Sequence, residues 1–298
     1  MLRGAVLALA LTLSSVPAWA QLKGKLAVAP STRPPLLDRE LFFGNPEIAG
    51  AQLSPDGQFI AFIKPYKDTR NIWVKRAGDS FAQAKLVTTE TKRPISGYFW
   101  SRDGKYILFT KDKDGDENFN VYAVNPAENA AAGQDAPAAR NLTAAKNVRA
   151  EIFAVPRNDP DTIFVGLNDR DPAWHDLYKV KISTGERILL RKNTDNVSGV
   201  VFDHKGNLRL ATRVTDKGAT EILRVDGDKL TKVYECGIFE TCGPDSFHAD
   251  GKRVYLQTNK GDNVDLTRLT LFDPETGQEE LVESDPLGRV DFGGLLTS

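Results

Sequence analysis

The sequence predicts an all-β fold, a β-propeller of four-stranded blades, and three observations predict it. A short turn ending in Gly and followed by an apolar strand recurs along the chain. The recurrence has the spacing of propeller blades. Each repeat then runs through the same series of strands and closes on a polar one, as a blade edge should.

The turns come first. Ser54-Pro55-Asp56-Gly57 precedes residues 58–63, and Ser101-Arg102-Asp103-Gly104 precedes residues 105–110. Asp203-His204-Lys205-Gly206 and His248-Ala249-Asp250-Gly251 open two later copies, and Pro156-Arg157-Asn158-Asp159-Pro160 is a degenerate one. Gly tolerates the positive φ of a tight hairpin and Asp bonds nearby backbone, so the motif has a mechanical reason. Gly57 to Gly104 is 47 residues, Gly206 to Gly251 is 45, and Gly104 to Gly206 is 102, which is two periods around the degenerate copy. Helical repeats of similar period would show 3.6-residue periodicity, whereas these segments are β-rich. A pair of β-sandwiches does not explain five copies of one turn at one spacing.

The strands follow in order. The first of each blade precedes the turn, as in Gly97-Tyr98-Phe99-Trp100 and Gly199-Val200-Val201-Phe202. The second is apolar on both faces, as between stacked sheets. A polar loop leads to the third, such as Val121-Tyr122-Ala123-Val124, and the fourth is more polar, such as Lys232-Val233-Tyr234. The expected blades are roughly 49–90, 96–145, 150–192, 197–236 and 244–283. Residues 289–298 read as the start of a sixth, so the reading is five complete blades in an incomplete ring and a chain that is a fragment or a truncated product.

Three segments stand outside the repeat. Residues 1–20 read as a secretory signal peptide, with Arg3 as its charged region, a short apolar run, and cleavage between Ala20 and Gln21. Its removal takes net charge from −1 to −2 and implies a secreted or periplasmic protein. Residues 21–48 form a Pro-rich N-terminal extension with one short helix near 36–43, and 126–139 form a long loop in blade two. The partial propeller is residues 49–298. No stretch reads as a membrane span, and the near-cancelling charges give no sign of a nucleic-acid partner.

The chemistry is sparse. No Gly-x-Ser-x-Gly nucleophile elbow occurs. His204 and His248 sit in turns, and His175 follows Trp174 in a polar loop without a Ser or Cys partner in view, so no catalytic residue is assigned. Asp112, Asp114 and Asp116 are a weak candidate cation loop, but the Gly and closing Glu of an EF-hand are misplaced, and a polar hairpin between strands is the preferred reading. Cys236 and Cys242 read as a local disulfide in preference to free thiols or a metal site. No cofactor site is expected. Asn141-Leu142-Thr143 and Asn196-Val197-Ser198 are sequons of a kind that also arises by chance.

At this point the residues carry a likeness. Ser54-Pro55-Asp56-Gly57 with Phe59-Ile60-Ala61-Phe62, then Gly115-Asp116-Glu117-Asn118 before Val121-Tyr122-Ala123-Val124, resembles the N-terminal propeller of prolyl oligopeptidase family serine peptidases. Thr258-Asn259-Lys260-Gly261-Asp262, followed by residues 265–269, strengthens it. The likeness covers roughly residues 40–298 and points to secreted bacterial dipeptidyl- or acylaminoacyl-peptidase-like members. It implies a propeller that gates short peptides to an α/β-hydrolase domain carrying Ser, Asp and His, a partner domain that this sequence does not contain. No catalytic residue carries over, and the chain alone is expected to be inactive. The alternative is a stand-alone periplasmic scaffold of the TolB or WD40-like kind that binds proteins. A metal-centred propeller enzyme such as a lactonase would need convergent ligands that the sequence does not display.

Overall fold

The structure, a computed structural model, describes residues 36–44 and 46–294. The chain divides into two compact units, the first ending at Asn45 and the second starting at Pro46. The described part of the first holds one helix, α1 (Arg39–Phe43), which Asp38 caps by accepting the Glu40 N–H at 2.9 Å. The expected signal peptide, its cleavage at Ala20–Gln21 and most of the 21–48 extension lie outside the described residues.

The second unit is an open β-propeller. Its five antiparallel four-stranded sheets are each built from strands consecutive in sequence and paired in order. Blade one comprises β1 (Ala49–Leu53), β2 (Phe59–Tyr66), β3 (Thr69–Arg76) and β4 (Lys85–Leu86); blade two comprises β5 (Tyr98–Trp100), β6 (Ile107–Lys111), β7 (Asn120–Val124) and β8 (Arg140–Asn141). Blade three comprises β9 (Ala150–Ala154), β10 (Thr162–Asp171), β11 (Trp174–Lys181) and β12 (Arg187–Arg191). Blade four comprises β13 (Gly199–Phe202), β14 (Leu208–Val214), β15 (Thr220–Asp226) and β16 (Lys229–Cys236). Blade five comprises β17 (Cys242–Phe247), β18 (Val254–Thr258), β19 (Arg268–Phe272) and β20 (Glu279–Glu283). β13 packs between β9 and β17, so the first strands of successive blades are neighbours around the axis and the fourth strands lie at the perimeter.

The core lies between blades. Alternate residues of a strand point to opposite faces, and a blade has a neighbour on each face. In β6, Ile107 and Phe109 pack into the core shared with blade one, whereas Leu108 packs into the core shared with blade three. Both faces of the strand are therefore apolar. Val201, Ile222, Phe247 and Leu256 build the corresponding core of blades four and five. The outer strands β12 and β20 are largely exposed.

The recurrent turn owes its shape to an acceptor at its first position. Ser54 Oγ accepts the Phe59 N–H at 2.9 Å and donates to Asp56 at 2.6 Å, while Asp56 accepts the Gln58 N–H at 3.0 Å. Ser101 and Asp103 repeat this arrangement. In blade four Asp203 accepts the N–H groups of Lys205 and Asn207, and in blade five His248 Nδ1 accepts that of Asp250. Gly57, Gly104, Gly206 and Gly251 all have φ between 66° and 77°, the left-handed region that the turn requires.

The expected start of a sixth blade, 289–298, is described only to Gly294, and that part forms no strand. Its described residues are hydrogen-bonded to blade five. Phe292 N–H donates to Thr267 O at 3.0 Å, and Asp291 accepts both the N–H and the hydroxyl of Thr267. Among the described residues no strand pairs with 289–294.

Candidate functional site

Antiparallel order puts all the first-to-second strand turns at one end of the inner strands. Hydrogen bonds tie these turns across blade boundaries. Arg102 of blade two donates Nε–H and Nη2–H to Val155 O of blade three, both at 3.3 Å. Asn158 of blade three donates to Lys205 O of blade four at 2.8 Å.

These turns enclose a basin of about 260 Å³. Phe153, Phe164 and Phe202 give it an aromatic wall, and the last two rings stack with centroids 4.3 Å apart. Arg102, Arg157, His204 and Asp245 supply its charged or titratable groups. Ser246 also lines it, and its Oγ is buried with no hydrogen-bond partner among the described residues. Asp203 lies on the wall too, but its carboxylate is committed to Lys205, Asn207 and Arg209. Burial, and then the nearby charge of Arg157, push the Arg102 guanidinium below its ordinary pKa. Neither arginine has a carboxylate ion pair among the described residues. The basin can therefore accept an anionic group beside an apolar one.

The residues singled out from the sequence lie elsewhere. Asp112, Asp114 and Asp116 occupy the β6–β7 loop, where they serve different partners. Asp112 pairs with Arg93 at 3.3 Å and Asp114 with Lys92 at 3.2 Å. Asp116 accepts the Lys113 and Asn118 N–H groups. Among the described residues no three His, Cys, Asp or Glu side chains converge to hold a metal. Cys236 and Cys242 are joined, with Cα atoms 6.0 Å apart, at the passage from β16 to β17. His175 lies on β11 and borders a cleft of about 20 Å³ between blades three and four, with Nε2 buried and unpartnered. His204 reaches the basin and His248 holds its own turn. Asn141 lies in β8, the outer strand of blade two, where it bonds Tyr122 and Thr143, and Asn196 lies in the connection from β12 to β13. Among the described residues no helix is long and apolar enough to cross a membrane.

Reading the sequence for chemistry missed the basin. Its signal is the second position of the turn, which runs Pro55, Arg102, Arg157, His204, Ala249 from blade one to blade five. Two successive arginines at one repeat position mark a local concentration of positive charge on one face.

No family model matches the chain. Over 264 residues it is 36% identical to dipeptidyl aminopeptidase BIII of Pseudoxanthomonas mexicana, a match covering 88% of this chain and 36% of that protein. It is 30% identical over 258 residues to dipeptidyl peptidase family member 6 of Caenorhabditis elegans, covering 82% of this chain and 34% of the relative. The chain thus spans about a third of the length of these curated relatives. Among solved structures, a prolyl endopeptidase studied for inter-domain dynamics superposes with a TM-score of 0.55 at 16% identity, over 79% of this chain and 35% of that one. At that identity the likeness concerns the fold.

Proposed function

Because the chain belongs to the prolyl oligopeptidase family, as a homologue of the propeller part of its members, we propose that it is a non-catalytic gating domain. It works with an α/β-hydrolase domain, which cleaves, while the propeller admits short peptides and keeps larger chains out. The observation that carries this reading is the 36% identity that extends over 88% of the chain. Both curated relatives bear the name of dipeptidyl peptidases, and short peptides are accordingly the substrate class we assign.

The blade geometry is compatible with this role. A propeller offers a rigid ring of inner strands whose side chains and turns define an opening, and the chemistry can reside on another domain. The three histidines have no serine or cysteine hydrogen-bond partner among the described residues. Export to the periplasm or beyond is part of the proposal. Residues 1–20, read as a leader, support it, as does a Cys236–Cys242 bond of the kind that persists in oxidising compartments.

The test is to read the coding sequence and its transcript downstream of Ser298 and to assay the chain itself. An in-frame continuation into a Gly-x-Ser-x-Gly hydrolase domain is expected, together with no cleavage of chromogenic dipeptide substrates by the isolated chain. A stop codon in an intact, expressed gene, with no hydrolase co-purifying, overturns the gating role. Turnover by the isolated chain that a serine-directed inhibitor abolishes overturns its non-catalytic character.

A further inference from the structure

We propose that the basin at the turn end of the inner strands is a binding site for a short zwitterionic peptide, about two residues long, whose carboxylate is held by Arg102 and Arg157. The choice of a peptide as ligand rests on the gating reading above. The site itself rests on the arrangement of side chains.

Arg102 and Arg157 come from successive blades and line one cavity. Like charges that line one cavity repel, as the effect of the Arg157 charge on Arg102 reflects, and the repulsion is relieved when an anion sits between them. Elsewhere in the propeller Arg93, Arg170, Arg213 and Arg253 each meet a carboxylate. At the basin Asp203 is turned to its own backbone turn and to Arg209, and Asp245 forms no ion pair with either arginine among the described residues. Arg102 is also fixed before any ligand arrives, because Val155 O holds two of its N–H donors. A guanidinium held in one orientation loses little freedom on binding, and the planar fork matches a carboxylate.

The rest of the cavity specifies more than a simple anion. Asp245, from blade five, is exposed and has no ion pair among the described residues. It disfavours a small symmetric anion and favours an ammonium group at the side away from blades two and three. Ser246 Oγ is a buried hydroxyl still lacking a partner, suited to a peptide N–H or C=O. The three phenylalanines give an apolar side chain somewhere to lie. A volume of about 260 Å³ is smaller than the cavities that take drug-sized ligands, which excludes long peptides from lying wholly inside.

The experiment is equilibrium binding to the full chain by calorimetry, with Ala-Phe, its C-terminal amide and its N-acetyl form as probes. Ala-Phe should bind at a single site. Loss of the carboxylate charge should weaken binding at least about tenfold, as removal of a charge-assisted bidentate pair does. Arg157→Met should cause the same loss for Ala-Phe and leave the amide unaffected, with an unchanged melting temperature because Arg157 is exposed and unpaired. Asp245→Asn should reduce the preference for the free amine over the acetylated form. Equal affinities for Ala-Phe and its amide, an Arg157→Met variant that binds like the parent, or no binding of Ala-Phe would each overturn the proposal. None of these outcomes touches the gating reading, which stands or falls on the downstream sequence and the hydrolysis assay.

Discussion

The hydroxyl of Ser101 donates to the carboxylate of Asp103 at 2.7 Å while accepting the Tyr106 N–H at 2.9 Å, and Ser54 stands in the same relation to Asp56 and Phe59. One buried oxygen thus ties the third turn residue to the start of the following strand, at Phe59 of β2 and at Tyr106 just before β6. Ser101→Ala leaves the Tyr106 N–H and one side of Asp103 without a partner. The expected cost is about 1–3 kcal/mol, read as a lower midpoint in thermal unfolding. Partial burial works against the Asp103 charge, but Ser101 and the Lys105 N–H hold its carboxyl below the ordinary range. In the Ala variant that pKa should rise toward its ordinary value, which a carboxylate NMR titration would detect.

A second prediction concerns Arg170 and Asp176. The guanidinium grips the carboxylate in bidentate fashion, at 2.7 Å for both bonds, and Asp176 also accepts the Asn193 N–H at 2.7 Å. Asp176 is 1% exposed, whereas the Arg170 side chain is one-third open to solvent. Removing a partner should therefore cost an amount between that of exposed and buried pairs, about 2–3 kcal/mol for Asp176→Ala. The bond from Arg170 is the main reason that the Asp176 pKa lies below its ordinary 3.8. A depressed carboxyl pKa stabilises the fold above the unfolded value and loses that contribution as pH falls through the folded one. Acid unfolding below about pH 4 should accordingly be shallower in Asp176→Asn than in the parent, a difference that circular dichroism across an acid titration would measure.

The blades were legible because a two-residue alternation and a turn are local. Ile107, Leu108 and Phe109 announce a strand with two apolar faces, and Asp103-Gly104 announces the turn before it. The strand partners of the degenerate third copy were legible only through spacing, since Pro156 replaces the usual acceptor. The acidic loop was ambiguous for a different reason. The cations that neutralise Asp112 and Asp114 are Arg93 and Lys92, some twenty residues upstream in the connection between blades. The basin was out of reach of any local reading, because Arg102, Arg157 and Asp245 meet only once the blades are set around an axis. The repeat position that two of them share was visible, but nothing in one blade says that the turns of several blades face one cavity.

The Cys236–Cys242 bond closes a loop with five residues between the cysteines, joining the outer strand of blade four to the inner strand of blade five. A closed loop this short removes little freedom from the unfolded chain, about 2 kcal/mol on the chain-entropy account. Reduction, or Cys236→Ser with Cys242→Ser, should lower the melting temperature by several degrees without unfolding the protein at room temperature. Global unfolding on reduction would mean that the bond holds blade five in place and does not merely trim the loop. Differential scanning calorimetry with and without reductant distinguishes the two.

Gly166 explains how two clefts share one wall. It lies on β10, opposite Glu151 of β9 and Leu177 of β11. A Cβ there would fall 2.5 Å and 2.6 Å from ring carbons of Phe153 and 2.9 Å from the His175 Cβ. Backbone strain is not the reason, because the residue has no positive φ. The missing side chain is the space into which Phe153 folds, and Phe153 in turn walls both the basin and the cleft beside His175. Gly166→Ala should cost about 1–3 kcal/mol as overpacking. It should also push the Phe153 ring toward the basin and so weaken Ala-Phe binding. Gly97→Ala is the control. Nothing lies within 4 Å of a Cβ there and its φ is not positive. It should be neutral or slightly stabilising, by up to about 1 kcal/mol through the unfolded chain. Thermal midpoints and dipeptide affinities of the two variants, measured side by side, decide whether Gly166 is needed for packing at that wall or whether any small residue serves.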